Sequence, residues 1–509
     1  MVEVNGVYMK KPKENISFAA DAVIAAAAAF VIIFICSKSS PLYPLNDWVD
    51  ANTYHTVGRG ILHGKVPYRD LYEQKGPLLY MLHALAAAVS ERTFFGVFLL
   101  EAAAAAGFLF SAARMLRSRL GTASVWLIPF MGAAVYSSDS FCHGDSAEEL
   151  CLPMTFAAFV LGQEAAVEGK PLSGHKKFIL GALAGCVFWI KYTFLGIFAA
   201  AFIADIVVSF RKNGGMDALR GAALYTLGAA AASLPVMAYF GAKGAVDDLF
   251  SVYFYDNIFR YPSEGDLLHH LTDGLNFTRI FMALPFYIMC AGLVVTPFIY
   301  GRRAAVWYAG SAALMIVSVF GGHGSYQYYP LAMAIFLPEA VCVLCSAVTV
   351  FVKNRKIPQY ILIPLTILSI AASGGICYKS SRNVYLMKYE RSELPQYKFA
   401  ELIEDRGGSL LNYGFIDGGF YLAAGQVPEF RYFCLNNMDI PEMRAAQDHY
   451  ISTGKAHFVV VRSESPDVPE KFTGYDLISN AELSYYDKYL YYFLFEINEN
   501  NKKFDLAIE

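Results

Sequence analysis

Charge is what this 509-residue sequence has least of. Only 17% of its residues are Asp, Glu, Lys or Arg, against about 25% in soluble domains. A chain this poor in charge, 56% hydrophobic and with a mean hydropathy of +0.38, excludes a cytosolic enzyme, a disordered scaffold and a small secreted domain. Neither sign dominates: 41 Lys and Arg stand against 44 Asp and Glu, a net charge of −3. No basic face is available to a nucleic acid. The nine cysteines are scattered, and only Cys434 lies beyond residue 380, so no disulfide framework holds the C-terminal segment. The C-x-x-C pair Cys342 and Cys345 sits in an apolar run and reads as part of a membrane helix. Gly407-Gly408 and Gly418-Gly419 flank a strand pattern without forming G-x-G-x-x-G, which argues against a nucleotide site. No internal repeat suggests the inverted halves of a transporter. What the chain does have is long apolar runs, and these predict a polytopic membrane protein.

A spanning helix needs roughly 20 mostly apolar residues. Candidate spans lie near 18–36, 93–112, 121–137, 149–165, 178–191, 193–210, 219–240, 278–299, 304–320, 327–350 and 357–377, about 11 in all. The first follows Lys10, Lys11 and Lys13 with no small-residue cleavage site and reads as a retained anchor. Lys and Arg collect on the cytoplasmic side of membranes. With the N-terminus in the cytoplasm, Arg114, Arg117 and Arg119, then Lys170, Lys176 and Lys177, then Arg211, Lys212 and Arg220, then Arg302 and Arg303, then Lys353, Arg355 and Lys356 all fall on that side. Pro77–Val89 is too short to span and is expected to be re-entrant or interfacial. The expected location is the plasma membrane of a bacterium.

The remaining loops, 37–92, 138–148, 241–277 and 321–326, then face outward. From about residue 380 the apolar runs shorten. Ser409–Tyr413 and Phe458–Val461 read as buried strands, and Leu394–Asp405 and Pro441–Thr453 as amphipathic helices. The expected architecture is an all-α polytopic membrane domain over 1–379, with its working surface in loop 37–92, plus a small extracytoplasmic α/β domain over 380–509.

Loop 37–92 carries the densest chemistry. Asp47 and Asp50 are three residues apart, so a helical turn puts both carboxylates on one face. Arg59 and His63 follow at helical spacing, and Gly64, Pro67 and Gly76-Pro77 mark turns. A carboxylate facing a cavity can act as a general base, and a cation such as Lys75 at headgroup height can hold a phosphate. The alternative for each charge is solvation of a loop at the membrane surface.

Asp50, Tyr54, Gly58-Arg59, Leu62 with Gly64, Pro67-Tyr68 with Asp70, and Lys75-Gly76-Pro77-Leu78 appear in one order over this loop. That series resembles the first outer loop of the GT-C membrane glycosyltransferases, of the protein O-mannosyltransferase and aminoarabinose-transferase type. It departs at Ala51, where that family has a second acidic residue, and this raises the question of whether Asp47 substitutes. The resemblance extends weakly to Asp139, Asp145, Glu148 and Glu149 in the second outer loop, where a second acidic residue is expected, with Glu149 first and Asp145 next. It extends also to Gly181–Leu195 with Lys191, a cation that pairs with a donor phosphate or simply snorkels. His323, Tyr326, Tyr328 and Tyr329 resemble a short loop closing over the site, or else an aromatic belt. Glu101, inside an apolar helix, is read as a packing residue and left out of the site.

The resemblance implies a sugar donor carried on polyprenyl phosphate and a glycan, lipid or protein acceptor. Asp50 would be the base, with Glu149 as a second catalytic acid. Asp47, Tyr54, Arg59, Tyr68, Asp70, Lys75, Asp145, Lys191, His323 and Tyr326 would bind substrate. No cofactor is required and no metal cluster is visible, a divalent ion being optional. A transporter or flippase of lipid-linked glycans is the alternative, and a glycan polymerase or ligase a third reading. The C-terminal domain is expected to bind the acceptor or shape its entry.

Overall fold

The computed structural model describes residues 2–4, 7–9, 14–261, 265–322, 325–351, 359–438, 440–469, 472–485 and 488–498. His323 and the basic residues Lys10, Lys11, Lys13, Lys353, Arg355 and Lys356 lie outside them. All eleven segments expected to span are helical. Among the described residues, eight helices are by themselves long and apolar enough to cross a membrane, from Phe18–Cys36 to Ile361–Ser380. A ninth results if Leu267–Phe281 and Ala283–Ile299, which meet at a 113° bend, form one span. The bend has a local cause. Pro285 has no amide to return to the carbonyl of Phe281, and the ladder restarts with the Phe286 amide on the Met282 carbonyl at 2.9 Å. Ser124–Tyr136, a shorter apolar helix, and Gly196–Asn213 are helical but stand outside this group, so eight or nine of the eleven expected spans have such a helix among the described residues.

The chain divides into two compact units; one boundary, between Arg382 and Asn383, lies close to the expected one, and the others fall earlier in the chain. One unit comprises Met1–Ser37, Leu100–Val236 and Ser263–Arg382; the other comprises Lys38–Leu99, Met237–Pro262 and Asn383–Glu509. The first loop therefore groups with the C-terminal segment rather than with the helices that it interrupts.

In the helical unit, charges placed inside long helices are paired, as burial in an apolar surrounding demands. Asp21 accepts from Arg117 at 2.8 Å and Arg114 at 3.1 Å, and Lys177 meets Asp205 at 3.2 Å.

The second unit opens with helix α1 (Val49–Leu62) and helix α2 (Pro77–Val89). Gly58 lets them touch: a Cβ there would lie 2.6 Å from the carbonyl carbon of His83. The C-terminal domain follows with helices α3 (Pro395–Arg406) and α4 (Pro441–Ser452), each opened by a proline, which needs no amide partner at that position. Its sheet has strands β1 (Leu410–Tyr413), β2 (Phe458–Ser463), β3 (Tyr475–Tyr485) and β4 (Lys488–Ile497), in the order β1-β2-β4-β3. β1 and β2 are parallel, joined across α4, and β3 and β4 form an antiparallel hairpin. Leu411, Val459, Phe493, Phe495 and Ile451 form the core on one face. The two strands and two helices expected from the sequence are present; the β3–β4 hairpin was not foreseen.

Candidate active site

Helix α1 is buried along almost its whole length, from Asp50 to Gly60. Asp50 lies in its first turn, where the helix dipole favours a carboxylate. It accepts a hydrogen bond from the Tyr54 hydroxyl, one turn on, at 3.2 Å. Asp47 is placed differently. Its carboxylate meets the buried ammonium of Lys38 at 2.6 Å and the Tyr385 hydroxyl at 3.2 Å. It is the counter-ion of a buried lysine, which matches its charge and braces the start of the loop.

The segment from Pro67 to Lys75 is a scaffold for Lys75. The Asp70 carboxylate accepts from the Val66 amide at 2.7 Å and pairs with Arg69 at 3.0 Å. Burial works against its charge, but the Arg69 guanidinium and that amide outweigh it and hold the carboxyl below its ordinary range. Tyr68 takes a left-handed backbone, φ 71°, and its hydroxyl donates to the Lys75 carbonyl at 2.7 Å. The Lys75 amide donates to Glu73 and to the Tyr80 hydroxyl, both at 2.8 Å, and Tyr80 in turn bonds Glu73. Tyr72 reaches Asp256 at 2.7 Å, and Asn257 donates to the Gln74 carbonyl at 2.7 Å. The chain leading into Lys75 is thus tied down at Tyr72 and Gln74, while the Lys75 side chain is half-buried. Tyr68 and Asp70, expected to bind substrate, act here by fixing the backbone that carries Lys75.

Arg59, expected near a donor phosphate, is 1% exposed, and it donates to the Tyr421 carbonyl at 3.3 Å. Burial withdraws it from a phosphate at the surface. His55, one turn before, is equally enclosed; burial, then His83 and Arg59, lower its pKa to about 3, so it is neutral at physiological pH.

The helical unit holds a second group. Asp145 has a left-handed backbone, φ 64°, and its amide donates to Glu101 at 2.7 Å and to Glu149 at 3.1 Å. Glu101 also accepts from Ser37 at 2.9 Å. The other oxygen of Glu149 has no hydrogen-bond partner among the described residues. Lys191 pairs with Glu148, and its ammonium lies 3.9 Å from the centre of the Tyr329 ring, an electrostatic attraction to the ring face. Tyr326 stacks on Tyr328 at 5.8 Å. The expected residues Asp145 and Glu149 therefore meet, as do Lys191 and the tyrosines. Among the described residues no three His, Cys, Asp or Glu are gathered as metal ligands.

The sequence reading missed Glu73, two residues before Lys75 and with no signal beyond that position. Glu101 was visible as an acid inside a membrane helix but assigned to packing; in the second loop Glu149 was placed first and Asp145 next as the second acid, and Glu148 is the residue that pairs with Lys191.

No protein-family model matches the chain, and no curated protein matches it in sequence. Two solved structures share its fold. ArnT from Cupriavidus metallidurans bound to undecaprenyl phosphate aligns with a TM-score of 0.56 at 13% identity, over 94% of this chain and 97% of that one. The apo state of the same protein aligns at 0.54 and 12% identity, with the same coverage. An oligosaccharyltransferase from Archaeoglobus fulgidus aligns at only 0.35 and 13% identity, over 88% of this chain and 70% of that one. The chain thus shares its fold with ArnT over nearly the full length of both chains.

Proposed function

We propose that this protein is a multi-pass glycosyltransferase of the plasma membrane that moves a sugar from a polyprenyl-phosphate donor to a glycan, lipid or protein acceptor. Its N-terminus is cytoplasmic, and its C-terminal domain and chemistry lie at the outer face. The observation that carries this reading is the fold shared with a protein solved with undecaprenyl phosphate bound. The loop chemistry supports it. Asp50 stands at the head of α1, and Lys75 stands on a backbone fixed by Tyr68, Glu73 and Tyr80.

In this reading the acceptor O–H bond breaks and its proton passes to Asp50. The electron pair left on that oxygen attacks the anomeric carbon, and the bond from that carbon to the phosphate oxygen breaks on the opposite side, inverting the centre. Lys75 meets the negative charge that gathers on the departing polyprenyl phosphate. General-base help of this kind is worth roughly 10²–10⁴ in rate. A transporter instead calls for ionisable groups on broken helices near mid-membrane; Glu148 and Glu149 lie in the first turn of their helix.

The test uses purified protein in vesicles, a panel of undecaprenyl-phosphate-linked monosaccharides and an envelope extract as acceptor, with and without a chelator. Transfer from at least one donor is expected, together with donor binding that Lys75→Ala weakens. Movement of the lipid-linked sugar across the vesicle without transfer would overturn the reading in favour of a flippase.

A further inference from the structure

The C-terminal domain is tied to helix α1 by a buried carboxylate that the chemistry above does not use. Asp417 is fully buried. One of its oxygens accepts from the Thr56 hydroxyl of α1 at 2.6 Å. The other accepts from the Asn412 side chain, on β1, at 3.0 Å and from the Gly419 amide at 2.9 Å. The same carboxylate thus ends in the central sheet on one side and on α1 on the other.

A second tie lies one turn along. Arg59 donates to the carbonyl of Tyr421, whose hydroxyl donates to the Phe433 carbonyl at 2.8 Å. Between the two ties the chain passes close to the helix at Gly419. There φ is +87°, and a Cβ would lie 2.9 Å from the Asn52 side-chain oxygen. The Gly418-Gly419 pair, which is no nucleotide loop, is what allows this approach. Gln396 of α3 donates to the Gly418 carbonyl at 2.9 Å and holds the turn from behind.

Helical geometry gives these contacts their meaning. At 3.6 residues per turn, Asn52, Thr56 and Arg59 lie roughly 180–240° around α1 from Asp50, whereas Tyr54 lies only about 40° from it. These ties hold the side of the helix that faces away from Asp50.

We propose that Asp417 is a positioning residue: by holding Thr56 it fixes the rotation and height of α1 and thereby the placement of Asp50. The proposal rests on the transferase reading, with Asp50 as base, and gives the C-terminal domain a part in the rate of transfer. The loss of placement, not of a charge at the reacting atoms, is what its removal costs. A displacement of the order of 1 Å at a reacting group can cost about 100-fold in rate.

The experiment compares Asp417→Asn, Thr56→Val, the double variant and Thr56→Ser in the vesicle assay, with Asp50→Asn in parallel. Asp417→Asn and Thr56→Val are each expected to lower kcat roughly 10- to 100-fold with donor KM changed less than about twofold. The double variant should fall no further than the worse single one, since both act on the same bond: Thr56→Val deletes it, and Asp417→Asn, keeping its oxygen on Asn412 and Gly419, turns an NH2 to Thr56 and reverses it. Thr56→Ser, which keeps the hydroxyl, should retain kcat. A purely structural bond would lower the thermal midpoint and leave kcat per folded molecule unchanged, and that result, with Asp50→Asn inactive, overturns this proposal alone. Additive losses in the double variant overturn it too. Normal transfer by Asp50→Asn instead removes the transferase mechanism on which it rests. Should Asp417→Asn fail to fold, the contrast between Thr56→Val and Thr56→Ser decides.

Discussion

Replacing Asp50 by Asn changes one atom and one charge, and the structure allows the cost to be apportioned. The Tyr54 hydroxyl stands 3.2 Å from the carboxylate, longer than the ~2.7–2.8 Å usual for such a bond. Asn keeps an oxygen there, so that contact loses less than about 1 kcal/mol. Removing a negative charge from the first turn of α1 forfeits another ~0.3–1 kcal/mol of helix-dipole stabilisation. Asp50→Asn should therefore fold with its thermal midpoint only slightly lowered. Asn cannot take a proton at neutral pH, so the full general-base contribution is lost, roughly 10²–10⁴ in kcat or about 3–5 kcal/mol of barrier. Tyr54→Phe should lose no more than about tenfold, because it leaves the base intact. Asp47→Asn separates stability from chemistry. It strands Lys38, whose side chain is 0% exposed, without its counter-ion, a loss of about 3–5 kcal/mol. Its folded fraction should still transfer sugar. Steady-state transfer, donor binding and thermal melting of the four proteins are the measurements. Retention by Asp50→Asn of more than about a tenth of the wild-type kcat would refute Asp50 as the base.

Two further outcomes follow from burial and packing. The pKa of His55 is about 3 in the fold against about 6.5 unfolded, so the unfolded chain binds the extra proton. Stability is then complete above pH 6.5 and is lost as pH falls towards 3, by about 2 kcal/mol at pH 5. The drop in thermal midpoint between pH 7 and pH 5 should be smaller in His55→Leu, and an equal drop would show that His55 is not held neutral. Gly58→Ala should lower the midpoint, although alanine is the better helix former by about 1 kcal/mol, because its Cβ would press on the His83 backbone at 2.6 Å. A raised midpoint would mean that α1 and α2 are not in this contact.

The membrane helices were legible because their signal is local. A run of some 20 apolar residues states its length and environment without reference to any other part of the chain. The strands β1 and β2 and the helices α3 and α4 were legible for the same reason, each carrying its period and its Gly or Pro boundary in a few residues. The β3–β4 hairpin was not, since its tyrosine-rich strands show little clean alternation, and their pairing is set by cross-strand contacts. The bend at Met282 was also hidden, because Pro285 inside an apolar run does not say whether a helix will kink or break.

For the candidate site, the sequence by itself marked the loop, since Asp50, Tyr54, Tyr68, Asp70 and Lys75 stand close together within one short segment. What each of them does was decided by tertiary structure. Asp47 became the counter-ion of Lys38, Arg59 an anchor on the Tyr421 carbonyl, and Tyr68 a brace for the Lys75 backbone. Glu73 and Asp417 carry no signal in the sequence, and Glu101, visible there as an acid in an apolar helix, is defined by its bonds to Ser37 and the Asp145 amide. The physical reason is that a charged or polar side chain carries no fixed role in sequence. Burial removes its water, and whichever donor or counter-ion the fold then places within about 3 Å decides what it does.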